Sequence, residues 1–275
     1  MTADELRAEV LRLGPWHQDI EVAPGVSTGD QRKRAGSGPD PLGVGNKVGS
    51  PQKAVDLLIR DVLPNGFAGR SVLDCACNAG GYLFEATRHG AGNCFGFDVR
   101  EHWIEQARFV ARHRPGNVQF AQCNLHELRE LKLPQFDVTF FFGILYHLPD
   151  PVAGLRIAAD HTRELLVVST ATDARGRGDG LTLNLESESM LLSGVDRLAW
   201  WPTSAAVVEA MLHWCGFPHT RVHFRIKEAP GADRIQILAA RDERTFKHFD
   251  AMHPRQEPSP WRVLARRVAR RLLRR

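Results

Sequence analysis

Between residues 71 and 170, short apolar runs alternate with segments whose apolar residues recur every three or four positions. The runs at 71–75, 93–98, 117–122, 136–142 and 165–170 read as strands. The segments 80–89, 101–113 and 151–160 read as helices, with a weaker one near 126–130. Such alternation implies parallel strands covered by helices on both faces. Ahead of it, Leu6, Val10 and Leu11 mark a short helix over 4–13, broken at Gly14-Pro15. Residues 24–50, rich in Gly, Pro, Asp and Ser with a basic cluster Arg32-Lys33-Arg34, read as a long loop. Ser50 and Pro51 then supply an N-cap and a first helical position, and Ala54, Leu57, Leu58 and Val62 share one face.

The rhythm breaks over 171–202, where Gly176-Arg177-Gly178-Asp179-Gly180 precedes an acidic, serine-rich stretch; this reads as an insertion over the functional edge of the sheet. A helix after Pro202 (Ala205, Val208, Met211, Leu212) stops at Gly216, and strands at about 219–226 and 233–240 flank Pro230-Gly231. The expected division is a cap and substrate loop over 1–69, a core over 70–243 and a basic tail over 244–275.

Composition narrows the class without choosing a function. The chain has 275 residues, 43% hydrophobic and 25% charged, ordinary for a soluble globular protein. No run approaches the roughly 20 apolar residues of a membrane span. Early acids and the lack of an apolar core at the N-terminus argue against a secretory signal. Five scattered cysteines imply reduced thiols and a cytoplasmic location. Cys75 and Cys77 lack the second pair that zinc would need. The net charge of +4 misleads as an average, because seven arginines and no acids lie between Arg262 and Arg275. The body is therefore mildly acidic.

Chemistry concentrates in Val72-Leu73-Asp74-Cys75-Ala76-Cys77-Asn78-Ala79-Gly80-Gly81-Tyr82, a strand, a tight turn of small residues and the start of a helix. Gly80 and Gly81 would let a ligand lie against main-chain amides. There is no Gly-Lys-Ser/Thr for a phosphate loop and no third spaced glycine for a dinucleotide fingerprint. The run resembles the first motif of class I S-adenosylmethionine-dependent methyltransferases, with Ala76 and Asn78 where that family often has glycine. The resemblance implies a Rossmann-like, seven-stranded, mostly parallel α/β sheet with its last strand antiparallel, helices on both faces, and S-adenosylmethionine as cofactor.

Asp98 ends the second strand, where an ionised carboxylate can accept both hydrogens of a ribose diol. Trp103 on the next helix stands either beside the adenine or in the core. From the resemblance, Asn124 reads the adenine amino group beside the amide of Leu125, and the turn contributes Asp74, Cys75, Ala76, Asn78 and Gly80. Phe136 to Gly143 forms a near-continuous apolar strand, after which Tyr146 and His147 sit at its carboxyl edge. This Leu-Tyr-His segment resembles the tRNA wobble-uridine carboxymethyltransferases, and places Gly143 and Tyr146 at the cofactor. Leu148-Pro149 stand where that subgroup has basic residues for a carboxylated cofactor, so the plain cofactor is expected.

For a hydroxyl nucleophile the expected base is His147, with Asp150 as its orienting or metal-binding acid and His17 as runner-up. The expected acceptor is a small molecule or oligosaccharide, met by Trp16, Asp30, Tyr82 and Trp200-Trp201, with Glu186 and Glu188 supplying acids. The Arg- and Ala-rich composition is similar to that of high-GC actinobacterial proteins, which suggests methylmannose polysaccharide as one such acceptor. Nucleic acid, and tRNA in particular, is the second expectation, and a homodimer a further one. Some sugar methyltransferases of this fold bind Mg²⁺, so the resemblance admits that ion, though no ligand cluster is legible. The tail from Trp261 places Leu264, Val268 and Leu272 at helical spacing among arginines, a surface for anionic lipid, nucleic acid or a partner.

Overall fold

Capping chemistry starts the helices where the sequence implies. In the computed structural model, which describes residues 1–29, 50–187 and 192–254, Thr2 and Glu5 form a capping box on α1 (Ala3–Arg12). A short hairpin follows, β1 (Glu21–Ala23) and β2 (Val26–Ser27). Ser50 accepts from the Lys53 amide at 3.4 Å to open α2 (Pro51–Asp61). The Asp30 and Glu188 acceptor contacts and the tail from Trp261 lie outside the described residues.

The expected alternation then runs β3 (Ser71–Cys75), α3 (Gly81–Arg88), β4 (Asn93–Asp98), α4 (Glu101–Ala111) and β5 (Val118–Gln122). Where a weak helix was expected, Leu125–Leu131 is a 3₁₀ helix. Next come β6 (Phe136–Phe142), α5 (Pro151–Asp160) and β7 (Thr162–Asp173), the last longer than its apolar run. Within the insertion, β8 (Leu181–Leu185) and β9 (Leu198–Pro202) pair as an antiparallel hairpin. α6 (Ala205–Trp214), β10 (His219–Ala229) and β11 (Ala232–Ala240) follow.

The main sheet has the order β10-β11-β7-β6-β3-β4-β5. β11 runs antiparallel to both of its neighbours, and the other pairings are parallel. It is the expected Rossmann-like seven-stranded sheet with its last strand reversed. The chain leaves β3 toward β4 on one side and later returns to β6 on the other. Open α/β sheets bind ligands at the carboxyl edge of such a switch point.

β6 is mostly apolar because both of its faces are covered. Phe141 enters a core layer with Leu73, Leu155, Val168, Leu212 and Ile237, whereas Phe140 enters the opposite layer with Val55, Leu58, Phe67, Val167 and Phe246. Residues 244–252, expected within the basic tail, instead close that second layer. Phe246 and Phe249 of the stretch leading into and along α7 (Lys247–Met252) are buried there, and Arg221 pairs with Asp250 and Glu243 while lying 4.9 Å over the Phe246 ring. No helix among the described residues is long and apolar enough to cross a membrane.

Candidate active site

The turn after β3 keeps a glycine-like backbone without glycine at each position. Ala76, Asn78 and Gly80 all adopt left-handed conformations, with φ of 57°, 52° and 77°. Each such non-glycine residue costs roughly 1–2 kcal/mol, and such outliers cluster at ligand sites. Asn78 offsets part of this by accepting the Ala79 amide on its own Oδ1 at 2.8 Å.

The amides of this turn are not bare, which corrects the expectation from its glycines. Gly80 N–H donates to Cys77 O at 2.9 Å, and Gly81 N–H donates to Gln18 Oε1 at 2.8 Å. A Cβ on Gly81 would lie 2.5 Å from Pro51 Cγ, so glycine is needed there for close packing rather than for ligand contact. Both glycine amides at the start of α3 are thus used within the protein.

A cavity of about 960 Å³ opens beside this turn along the carboxyl edge of the parallel strands. Ligand pockets span about 300–1,000 Å³, so there is room for a nucleoside-sized group and a second molecule. Ala76, Asn78, Asp98, Trp103, Asn124, Leu125, Gly143 and Tyr146 line it, and so do Tyr82, His17 and His147. Asp74, Cys75 and Gly80 do not. Asp74 is 1% exposed with Oδ2 lacking a partner, and burial, with Asp98 nearby, holds its carboxyl well above the usual range. Cys75 packs in the apolar core, and burial pushes its thiol far up.

Asp98 fits the ribose role. Its Oδ2 accepts the Asn78 amide at 3.0 Å and its Oδ1 the Arg100 amide at 3.1 Å. A carboxylate has about four acceptor positions, so acceptor capacity remains for a diol beyond these bonds and the backbone bond from Val99. Asn124 caps the 3₁₀ helix by accepting the His126 amide at 3.1 Å, which leaves its carboxamide a second lone pair. Burial raises the Asp98 carboxyl above its ordinary value despite those amide bonds. Only the ionised form accepts from both hydroxyls. The affinity for S-adenosylhomocysteine, measured by calorimetry across a pH series, should therefore be full above the raised value and decline as pH falls through it. Constant affinity down to about pH 4, where a free carboxyl titrates, would contradict this.

His147 lies past β6, near the middle of the cavity. Glu186 Oε1 and Oε2 stand 2.7 and 2.9 Å from its Nδ1. A carboxylate only accepts, so Nδ1 carries a proton toward Glu186, and in the neutral ring the lone pair lies on Nε2. Burial raises the Glu186 carboxyl, but the bonds from His147 and the Gly194 amide, with the charges of His147 and Arg100, outweigh it and hold the group below its ordinary value. Asp150 is not the orienting acid. It caps α5 by accepting the Ala153 amide at 3.0 Å and does not line the cavity, because Pro151 commits the position to starting a helix.

The far end of the cavity carries a different chemistry. From Asp98 on β4 to Arg234 on β11 is four strand spacings, roughly 19 Å. Arg234 Nε and Nη2 donate to Glu228 Oε1 at 3.0 and 2.8 Å, and its guanidinium lies 5.5 Å over the Tyr146 ring. Trp201 meets Tyr146 edge-on at 5.5 Å, and Tyr82 meets Phe142 at 4.9 Å. Burial lifts the Tyr82 phenol to about 12.

Two aromatic expectations fail. Trp16 is 2% exposed, donates to Val10 O at 2.7 Å and packs against Phe109, so it anchors the N-terminal segment instead of an acceptor. Trp200 pairs across the hairpin with Leu183 on the side away from the cavity; its neighbour Trp201 points in, as strand alternation requires. Gln18, Arg100, Glu228, Arg234 and Gln236 line the cavity without having been singled out for it. Of these, Arg234 and Gln236 stand two apart in β11, a strand otherwise apolar beyond Asp233. Among the described residues no group of three or more His, Cys, Asp or Glu could hold a metal ion.

Residues 67–190 match the family described as a methyltransferase domain. Among curated proteins, the chain is 30% identical over 168 residues to a tRNA U34 carboxymethyltransferase of Aeromonas hydrophila, covering 58% of this chain and 49% of that one. It is 28% identical over 163 residues to that of Alteromonas mediterranea, covering 56% and 46%. The chain thus spans about half the length of the curated relatives it matches. Among solved structures, the N-terminal domain of EvdMO1, crystallised in the presence of S-adenosylhomocysteine and D-fucose, superposes with a TM-score of 0.67 at 18% identity over 87% of this chain and 97% of that one. The magnesium protoporphyrin IX methyltransferase of Synechocystis gives 0.51 at 19% identity over 78% and 92%. Both likenesses are of fold.

Proposed function

We infer that this chain, which belongs to the class I S-adenosylmethionine-dependent methyltransferases, methylates a hydroxyl of a sugar or oligosaccharide. When bound, the cofactor supplies a methyl group already activated on a sulfonium, so placement accounts for much of the rate. Asp98, with Asn124 and Trp103 beside it, holds the nucleoside end. His147 Nε2 takes the proton of the attacking hydroxyl, while Glu186 fixes the ring and offsets the charge it gains. Trp201 and Tyr146 offer aromatic faces to a ring. The Arg234–Glu228 pair offers a donor and an acceptor side by side, a match for neighbouring hydroxyls, and its internal neutrality disfavours an anionic acceptor.

The observation that carries this reading is the His147–Glu186 pair, set between the Asp98 end and the aromatic, Arg234-bearing end of one cavity. The curated relatives favour a second reading, modification of the tRNA wobble uridine. Against it, phosphate-backbone binding calls for a basic surface, and the net positive charge here resides in the C-terminal arginines. Transfer of labelled methyl groups to a panel of mono- and oligosaccharides, methylmannosides included, set beside total tRNA, separates the two. Label in a saccharide at an alkali-stable ether is the expected result; label in tRNA alone would overturn it.

A further inference from the structure

A chain of hydrogen bonds joins the ribose-binding end of the cavity to the base. Asp98 Oδ1 accepts the Arg100 amide at 3.1 Å. The Arg100 side chain turns the other way and donates from Nη2 to Ser193 O at 2.7 Å, in the strand-connecting segment of the β8–β9 hairpin. The next amide, Gly194 N–H, donates to Glu186 Oε2 at 2.5 Å, and Glu186 holds His147 Nδ1. The Arg100 charge is also among the influences that lower the Glu186 carboxyl. Gly194 is needed at this step, since a Cβ there would lie 2.6 Å from His147 O and 2.9 Å from Glu186 Oε2.

The hairpin depends on such ties. β8 and β9 form a two-stranded sheet separate from the main one, and a lone hairpin is marginal in water. Its outer face buries little: Leu183 is 50% and Leu185 76% exposed. Its inner face packs through β9 on β7 and on the Leu145–His147 turn. Its position is therefore weakly determined by apolar burial and strongly by the polar links at Thr203, Glu186 and Ser193.

We propose that Arg100 and Glu186 are positioning residues that couple donor binding to placement of the base. Donor at Asp98 fixes the Val99–Arg100 corner, Arg100 fixes Ser193–Gly194, and Gly194 fixes the Glu186 carboxylate that orients His147. The acceptor end, whose wall includes Trp201 of the same hairpin, is completed after the donor has bound. This rests on the methyl-donor reading of the cavity and adds the order of events to it.

The test is hydrogen exchange by mass spectrometry on the full chain, with S-adenosylhomocysteine as the probe and its binding followed by calorimetry. In the wild type the probe should slow exchange by about tenfold, equivalent to about 1.4 kcal/mol, in peptides over 76–81 and over 192–202 alike. Arg100→Ala keeps the main-chain amide that Asp98 accepts, so it should still bind the probe and protect 76–81, yet lose the protection over 192–202. The ring ¹⁵N signals of His147 should respond to the probe in the wild type and not in this variant. Arg100→Lys, which keeps the charge and part of the reach, should restore an intermediate response, and Arg100→Met serves if the alanine variant does not fold. Protection over 192–202 undiminished in Arg100→Ala, or absent from the wild type while the probe is bound, overturns the coupling. Failure of the wild type to bind the probe overturns the donor reading, and the coupling with it.

Discussion

His147→Ala is expected to lower kcat by about 10²–10⁴-fold, the usual contribution of a placed general base, with S-adenosylhomocysteine affinity retained. The ring contacts Glu186 through Nδ1 and makes no direct bond to Asp98 or to the turn after β3, so cofactor binding should change far less than turnover. The loss should depend on pH. A base imidazole works only when neutral, so wild-type turnover falls toward acid. Glu186 does not account for that limb: its carboxyl is held below the ordinary value, so it stays ionised as pH falls until well into the acid range. The alanine variant should lack the imidazole's limb and recover turnover as hydroxide rises. Full turnover by His147→Ala at every pH, on whichever acceptor the labelling identifies, would remove the histidine from the mechanism.

The same pair marks the limit of what the sequence discloses. Strand and helix placement was legible because the period of burial is local: residues 71–75, 93–98 and 136–142 form strands with those bounds. The position of Asp98 at the cavity was legible too, since a strand end fixes where its last side chain stands. The partner of His147 was not. Asp150 is three residues away in sequence and became a helix cap, whereas Glu186 lies 39 residues away, just past β8, where the Leu181-Leu183-Leu185 alternation marks a strand but not what it packs against. Trp16 and Trp200 failed for a related reason. An aromatic residue in a loop or strand is as easily buried as presented, and only the fold decides which face it takes. Arg234 reaches the cavity because β11 is reversed, so its amino-terminal half lies at the carboxyl edge of its parallel neighbours.

Asp98→Ala should weaken S-adenosylhomocysteine binding by about 10²–10⁴-fold. Two hydrogen bonds from a ribose diol to an ionised carboxylate contribute about 1.5–3 kcal/mol each, and each 1.4 kcal/mol is tenfold in affinity. The change also strips the Asn78 and Arg100 amides of their acceptor, at about 1–3 kcal/mol for each that stays buried. Relief of a buried charge offsets part of this, because burial already disfavours the ionised form. A fall in Tm is therefore expected to accompany the loss of affinity, and it has to be separated from it. Asp98→Asn does so. It matches the shape of the carboxylate but has one accepting oxygen, and its NH₂ must face either the Asn78 or the Arg100 amide or the diol. A structural role alone would leave the affinity of the folded protein little changed in both variants, while a diol role requires two accepting oxygens and leaves asparagine nearly as weak as alanine. Calorimetry on both variants at a temperature where each is folded gives the answer, and unchanged affinity in Asp98→Ala would refute the ribose assignment outright.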